Sequence, residues 1–296
     1  MSGQQGLLMI RQAWRIALDA FYRFNADDGW AIASHIALSG LMAMFPFLLV
    51  LTAIAAGVFN SDNLADEAAR LLIEVWPKEV ADMVALDITS VLMSARRGNV
   101  FTIGAVLSLF FASSGVEALR VGLNRAYGIV ETRPWWLLRL ESILYVVIGA
   151  ISLLALAFLV LLAPIIWSTA VRYIPDLEPF GWLITFVRYT VASVILVITT
   201  VIVHLWLPAG RRSLSTVAPG IAATIVLWLV AGEIFAQYLA EFAFTYAVYY
   251  AGLASVMILL VFLYLSASIF VYGGELNTAI ASMRHRYPSE SEMEIS

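Results

Sequence analysis

Residues 31–59 read AIASHIALSGLMAMFPFLLVLTAIAAGVF and contain no Asp, Glu, Lys or Arg. A helix that crosses the hydrocarbon core of a bilayer needs about 20 consecutive apolar residues. This uncharged stretch is longer than that requirement. It therefore predicts a transmembrane helix.

The composition of the whole chain extends this prediction. Of the 296 residues, 62% are apolar and 13% are charged, with a mean hydropathy of +0.89. Soluble domains are about half apolar and about a quarter charged. The excess apolar surface must face lipid, where helices satisfy their own backbone polar groups. We therefore expect an all-α integral membrane protein.

Five further stretches carry no charge, and with the first they predict six transmembrane helices in a membrane domain of residues 31–280. They are residues 100–116, 142–171, 189–208, 213–232 and 242–274. The first of these five is short and needs Ala118 and Leu119, beyond Glu117, to complete a span. The long stretches 142–171 and 242–274 are expected to tilt or to project beyond the lipid.

The distribution of positive charge predicts the orientation. With a cytoplasmic N-terminus, eleven of the seventeen Lys and Arg residues fall on the cytoplasmic side, as is usual for membrane proteins. These eleven are Arg11, Arg15, Arg23, Arg120, Arg125, Arg133, Arg139, Arg211, Arg212, Arg284 and Arg286. Both termini are therefore predicted to be cytoplasmic.

Three segments outside the spans have their own predictions. Apolar residues at helical spacing in 1–30, among Arg11, Arg15 and Asp19, predict an N-terminal helix that lies in the membrane interface; a helix packed on the bundle is the alternative. Residues 60–99 predict an extracytoplasmic pair of amphipathic helices joined at Pro77, which either caps a cavity or rests on the membrane. Residues 281–296 predict a disordered cytoplasmic tail.

Polar residues within the apolar stretches are candidates for a hydrophilic path. His35 lies inside the first stretch with Ser34 and Ser39, and Pro46 is expected to kink that helix and expose carbonyl groups. The alternative is a packing kink beside a hydrogen-bonded histidine. Glu117, Glu275 and Asn277 lie at span ends, where a charge network with Arg120 is structural or contacts a headgroup.

The sequence lacks the residues that several common types of catalysis and metal binding require. The chain has no cysteine and three histidines, and it contains no P-loop, no metal-binding HExxH sequence and no nucleophile elbow. Asp27-Asp28 has no histidine beside it that would suit a nuclease. The net charge of −4 gives no field that attracts nucleic acid. We expect no catalytic residues, no metal, no cofactor, no nucleic-acid partner and no enzymatic activity.

A series of short motifs in a fixed order resembles the YihY/BrkB family of bacterial inner-membrane proteins. The resemblance covers about residues 27–280. It rests on Asp28-Gly29, Ala31–Ala37, Phe45-Pro46, Ser113–Leu119, Asn124–Gly128, Glu131, Arg133-Pro134, Pro219-Gly220, Phe235, Tyr238, Leu263–Leu265 and Gly273–Asn277. Phe262 departs from the family pattern, which often has a tryptophan there.

The resemblance implies a multi-pass protein of the bacterial inner membrane with a role in envelope integrity or virulence. It suggests transport or flipping of lipid or lipid-linked envelope precursors, with Arg120, Arg125, Arg133 and Asn124 as candidates to hold an anionic headgroup by charge. A scaffold or partner subunit of an envelope complex is the alternative. Some family members carry a ribonuclease label, for which these residues offer no chemistry. The expected partners are membrane lipids, proteins of an envelope complex or a second copy of the chain, and an oligomer could also form a small-ion channel.

Overall fold

The fold is that of a computed structural model, which describes residues 2–59, 103–159, 163–250 and 253–286. All regular structure in these ranges is helical, which confirms the all-α prediction. The helices are α1 (Ser2–Ala26), α2 (Gly29–Phe59), α3 (Ile103–Ala126), α4 (Trp135–Ala157), α5 (Ala163–Tyr173), a 3₁₀ helix (Pro175–Phe180), α6 (Gly181–Trp206), α7 (Leu214–Tyr250) and α8 (Ala254–Arg286).

Five helical segments within the described ranges are long and apolar enough to cross a membrane. They are Val106–Ala126, Trp135–Leu156, Pro175–Trp206, Leu214–Phe242 and Val256–Met283. The first predicted span, residues 31–59, lies within α2, a helix of 31 residues, and its described segment Gly29–Met44 is apolar. The predicted extracytoplasmic pair, 60–99, lies outside the described residues, and the cytoplasmic position of both termini stays a prediction.

One helix boundary in the described residues differs from that expected from charge. The uncharged stretch 242–274 is divided, because α7 continues through Glu233 and Glu241 to Tyr250 and α8 begins at Ala254. Glutamate is a good helix former, so a glutamate can end the apolar part of a helix without ending the helix. The stretch 142–171 contains the end of α4 and most of α5, and residues 160–162 between them lie outside the described part of the chain; Pro164 suits the first turn of α5.

The predicted tail begins too early. Helix α8 continues to Arg286, which corrects the expected boundary at residue 281. The remaining residues, 287–296, lie outside the described part of the chain.

The described chain forms two compact units. The first contains described residues of Met1–Leu41, Glu117–Pro134 and Val201–Ser296, and the second those of Met42–Val116 and Trp135–Thr200. In the first unit α7 and α8 pack closely. Gly220 permits this, since a Cβ atom at that position would overlap the carbonyl oxygen of Gly273. Small residues allow such an approach of two helix backbones in a membrane.

Helix α1 packs on α8 in the first unit. Ala20 and Phe24 are buried, and the Tyr272 hydroxyl donates to the carbonyl oxygen of Ala17 at 3.1 Å. Arg23 donates to the Ser282 hydroxyl at 3.2 Å. Packing on the bundle, the alternative for this segment, is therefore observed; its place in the membrane interface remains a prediction.

The second unit has a small apolar core, and the Arg139 side chain packs on α3 in the same unit. Val50, Ala112 and Val146 are buried there. The Arg139 guanidinium lies 4.0 Å from the centre of the Phe110 ring and donates to the Ser113 hydroxyl at 2.8 Å. This arginine is therefore engaged with α3 within the same unit.

Candidate functional site

The C-terminal end of α3 positions most of the polar residues of interest. The backbone N–H of Gly128 donates to the carbonyl oxygen of Arg125 at 2.9 Å, and that of Ile129 donates to Asn124 at 2.8 Å. This pair of bonds is the Schellman ending of a helix, which needs a residue with positive φ after the last turn. Gly128 has φ +63°, a conformation that glycine adopts without strain. The turn holds the side chains of Asn124 and Arg125 beside the segment that follows.

Glu131, in that following segment, is bound by two of the predicted site residues. The Arg133 guanidinium donates to its carboxylate through Nε at 2.9 Å and through Nη2 at 2.8 Å, and the Asn124 amide donates at 3.0 Å. Arg133 also donates to the carbonyl oxygen of Leu207 at 3.2 Å. Asn124 accepts the backbone N–H of Ala209 at 2.7 Å. This cluster joins the end of α3 to the loop between α6 and α7.

The hydrogen bonds hold Glu131 in its charged form. Donation from the Arg133 side chain lowers the pKa of Glu131 from 4.5 to about 2, helped by the Arg133 backbone N–H and the Asn124 amide and opposed by partial burial. Hydrogen bonds to a carboxylate stabilise its ionised state. The planar, two-pronged pairing is also the strongest geometry available to arginine.

A second cluster lies where α3, α7 and α8 meet. The Asn277 side chain accepts the Gly220 backbone N–H at 2.7 Å and donates to the Tyr127 hydroxyl at 3.1 Å. The Arg212 guanidinium stacks 4.0 Å from the centre of the Tyr127 ring and donates to the Ala209 carbonyl oxygen at 2.8 Å. Asn277 is buried, so its amide satisfies polar groups that water does not reach.

Burial shifts the ionisation of the stacked pair. It raises the pKa of Tyr127, against a smaller opposite effect of the Asn277 hydrogen bond and of the Arg212 charge. It lowers the pKa of Arg212, against the attraction of Tyr127. The raised pKa keeps Tyr127 neutral at neutral pH, and the Arg212 guanidinium over its ring forms a cation–π interaction.

Arg125 is the predicted headgroup residue with an accessible guanidinium. Its side chain is 53% exposed, and it lies 3.9 Å from a carboxylate oxygen of Asp27 and 3.5 Å from one of Asp28. Both aspartates belong to the turn between α1 and α2, where Asp28 has φ +57°. Exposed ion pairs of this length are weak, so an anion could replace the aspartates at Arg125.

Arg120 and Glu275 are buried instead. Glu275 is 1% exposed, and neither of its carboxylate oxygens accepts a hydrogen bond from the described part of the chain. The charges that act on it are Asp27 and Arg23, at the junction of α1 and α2. Arg120 is buried in α3. These two residues are not accessible to a headgroup in this arrangement.

The polar residues of α2 divide between its faces. Ser34 and His35 are exposed, whereas Ser39 and Pro46 are partly buried. Glu117 in α3 is also partly buried. Ser34 and His35 follow Asp28 by fewer than two helical turns. They therefore lie close, along α2, to the aspartates that pair with Arg125.

Comparison of the sequence with known proteins identifies the family of this chain. The sequence profile of the family described as Virulence factor BrkB matches residues 20–294. The chain belongs to the BrkB family. BrkB-family relatives include the Putative ribonuclease-like protein YfkH of Bacillus subtilis, which is 25% identical over 273 residues, 92% of this chain and 97% of that protein.

Other relatives carry a membrane-protein name. A UPF0761 membrane protein of Coxiella burnetii is 26% identical over 92% of this chain and 94% of its own length. One from Vibrio vulnificus is 25% identical over 90% of this chain and 83% of its own. No solved structure matches significantly. The chain is thus a multi-pass membrane protein of the BrkB family.

The motifs that carry the BrkB resemblance meet in these clusters. Asn124–Gly128, Glu131, Arg133, Pro219-Gly220 and Gly273–Asn277 are far apart in the sequence and touch one another in the first unit. From the sequence, Tyr127 and Glu131 belong to motifs without a predicted role, whereas Gly220 is a small residue that suits close helix packing, as its contact with Gly273 shows. Sequence reasoning missed Arg212, for which no motif gave a signal.

Proposed function

We propose that this protein binds envelope lipid, or a lipid-linked envelope precursor, by its anionic headgroup and moves it across the bacterial inner membrane. The observation that carries the proposal is the state of Arg125. Its half-exposed guanidinium is held by two exposed aspartates at 3.5 and 3.9 Å. A phosphate binds a guanidinium in a bidentate manner and can displace such weak partners.

The exposed face of α2 supports a route away from Arg125. His35 lies about 9 Å along α2 from Gly29, at 1.5 Å per residue. An exposed serine and histidine at that depth give a headgroup hydrogen-bonding partners as it leaves the interface. The acyl chains would remain in the bilayer beside this face.

In this proposal three of the candidate headgroup residues do not contact the headgroup directly: Arg133, Asn124 and Arg120. Arg133 and Asn124 are bound to Glu131, which fixes the segment after α3 and with it the position of Arg125. Arg120 is buried. Since the sequence has no P-loop, movement would follow a gradient, couple to an ion or depend on a partner protein.

Reconstitution tests the proposal. Purified protein in vesicles that contain fluorescent phosphatidylglycerol should speed movement of the label between leaflets, measured by chemical quenching of the outer leaflet. Arg125→Ala should slow this movement by about tenfold, the effect of losing about 1.4 kcal/mol of binding. Arg172→Ala, which removes an exposed arginine at the end of α5, is the matched control and should leave the rate unchanged. A rate equal to that of protein-free vesicles, for phosphatidylglycerol and for lipid-linked precursors alike, would refute transport.

A scaffold role is the second candidate, and the close packing of α7 on α8 favours it. Gly220 and Gly273 bring the two helix backbones together, and Asn277 fixes their contact. Such a rigid unit suits a partner subunit of an envelope complex or of a homo-oligomer. Cross-linking in cells that recovers a stoichiometric partner, together with no lipid movement in vesicles, would favour this role.

We also propose that the protein is not a nuclease, despite the name of its Bacillus subtilis relative. The carboxylates of Asp27 and Asp28 pair with Arg125, an arrangement that serves an ion pair and not a metal ion. Purified protein, freed of contaminating nucleases, should leave tRNA intact in the presence of Mg²⁺. Cleavage that disappears in Asp27→Asn would overturn this proposal.

A further inference from the structure

A groove on the surface of the first unit lies between α7 and α8. It has a volume of about 300 Å³ and is lined by Trp228, Ala231 and Gly232 of α7 and by Phe262, Leu265 and Ser266 of α8. A Cβ atom at Gly232 would meet no other atom within 4 Å, so this glycine leaves open space. The groove is separate from the polar clusters around Asn124 and Asn277.

The groove lies at the depth of the hydrocarbon core. Trp228 is about 21 Å along α7 from Leu214, at 1.5 Å per residue, and both walls belong to segments long and apolar enough to span a membrane. Tryptophan usually lies at the membrane interface, where its N–H meets water or headgroups. The Trp228 indole N–H donates instead to the backbone carbonyl oxygen of Ser266, at 3.0 Å.

Aromatic contacts hold both walls. The Trp228 ring is stacked on Phe270, with ring centres 6.2 Å apart and planes at 10°. The Phe262 ring lies 5.8 Å from that of Phe235. Because the walls are held by other side chains, the groove does not close by simple rotation of Trp228 or Phe262.

We infer that this groove holds one acyl chain of a membrane phospholipid. The inference rests on the proposed function and adds a site for the apolar part of the lipid. The groove runs from Phe262 to Ile269, about 10 Å at 1.5 Å per residue. One leaflet contributes about 15 Å to the hydrocarbon core, so the groove matches part of a single chain within one leaflet.

Other occupants fit less well. A helix is about 10 Å wide with its side chains, so single side chains of a neighbouring helix, and not the helix itself, would enter the groove. Water would find few partners, because the indole N–H of one wall is already bound to the carbonyl of the other. Hydrocarbon at this depth needs no polar partner.

Photolabelling in nanodiscs tests the inference. A phosphatidylglycerol with a diazirine in one acyl chain should label peptides that contain Trp228 and Phe262, identified by mass spectrometry. Gly232→Leu or Ala231→Leu should reduce that labelling by about tenfold, equivalent to about 1.4 kcal/mol. Gly149→Leu, which also fills an open position but in α4, should leave it unchanged.

Two outcomes would overturn the inference. Labelling spread evenly over α4, α6 and α7, and unchanged by Gly232→Leu, would mean ordinary surrounding lipid. Because the chain has no cysteine, the Gly232→Cys variant carries a single thiol. If this variant forms a disulfide-linked dimer in membranes, the groove is a contact between two copies of the chain and not a lipid site. If the groove is labelled but no lipid moves in vesicles, transport is refuted and the acyl-chain site is supported. If lipid moves at the same rate in Gly232→Leu and the groove is not labelled, the acyl-chain site is refuted and transport is supported.

Discussion

Asn277 in α8 supplies the hydrogen-bond acceptor for the backbone N–H of Gly220, which lies 57 residues earlier, in α7, at 2.7 Å. Pro219 precedes this N–H inside α7, and a proline in a helix disturbs the carbonyl groups of the preceding turn. A side chain from a neighbouring helix thus completes the hydrogen bonding of a helix backbone. The same side chain donates to Tyr127 and links α3 to this contact.

Removal of this side chain should destabilise the first unit. Asn277→Ala leaves the Gly220 N–H buried and unpaired, which costs about 1–3 kcal/mol. We expect a lower midpoint of thermal unfolding in detergent. Gln237→Ala, which removes an exposed amide from α7, should leave the midpoint unchanged. Equal midpoints for the two variants would contradict the linking role of Asn277.

Glu131 should make stability depend on acidity. Its pKa in the folded protein is about 2, below the ordinary 4.5, so its contribution is full above about pH 4.5 and is lost as the pH falls through about 2. At pH 6, Glu131→Gln should lower the free energy of unfolding by about 2 kcal/mol, allowing for partial exposure. Denaturation between pH 6 and 2 should show this difference shrinking. For Glu178→Gln, an exposed site in the 3₁₀ helix, we expect no difference at any pH.

Glycines in helices should respond in opposite directions to the same substitution. Gly273→Ala places a Cβ atom onto the Thr224 hydroxyl and near the Gly220 carbonyl oxygen, and such overpacking costs about 1–3 kcal/mol. Gly149→Ala enters open space and should stabilise its helix by up to about 1 kcal/mol. Thermal unfolding of both variants gives the two signs. A neutral Gly273→Ala would mean that α7 and α8 can separate without loss.

The aspartates at the α1–α2 turn should compete with a headgroup for Arg125. In the double variant Asp27→Asn and Asp28→Asn, the ion pairs are lost, and asparagine still accepts the positive φ of residue 28. We expect affinity for phosphatidylglycerol, measured by native mass spectrometry, to rise about threefold to fivefold, since exposed pairs contribute up to about 1 kcal/mol. Unchanged affinity together with lower stability would mean that Arg125 serves only to hold the turn.

Helix α1 should also touch lipid with the face that does not pack on α8. Ile10, Trp14 and Phe21 are exposed on one side of α1, next to Arg11 and Arg15. This arrangement is typical of a helix in an anionic membrane interface.

A cysteine introduced into the cysteine-free chain can report the environment of that face. A polarity-sensitive fluorophore on Trp14→Cys should shift to the blue when anionic lipid replaces detergent. The same label on Gln12→Cys, an exposed position on another side of α1, should not shift. Identical spectra at the two positions would argue against an interfacial helix.

The membrane helices could be predicted because the need for apolar residues in lipid is local. Helix boundaries were harder, since Glu233 and Glu241 lie inside α7 although they interrupt an apolar run.

The site could be predicted only in part. Arg125 was selected by charge and motif, but its pairing with Asp27 and Asp28 depends on how α1 and α2 return to α3. The Arg212–Tyr127 contact joins two loops with no shared pattern in the sequence. His204 is buried against Phe270, a contact of α6 with α8 that the sequence of α6 alone does not indicate.

The contact of α1 with α8 has a consequence for synthesis of the protein. Ala17 and its partner Tyr272 are separated by 255 residues, and Arg23 and Ser282 by 259. At about 5–20 residues per second, the ribosome makes the partner of α1 roughly 13–50 s after α1 itself. During that interval the side of α1 that contacts Tyr272 and Ser282 has no α8 to cover it. Helix α1 therefore reaches its final contacts only after α8 has been made, and until then the membrane surface or a chaperone must shield that side of α1.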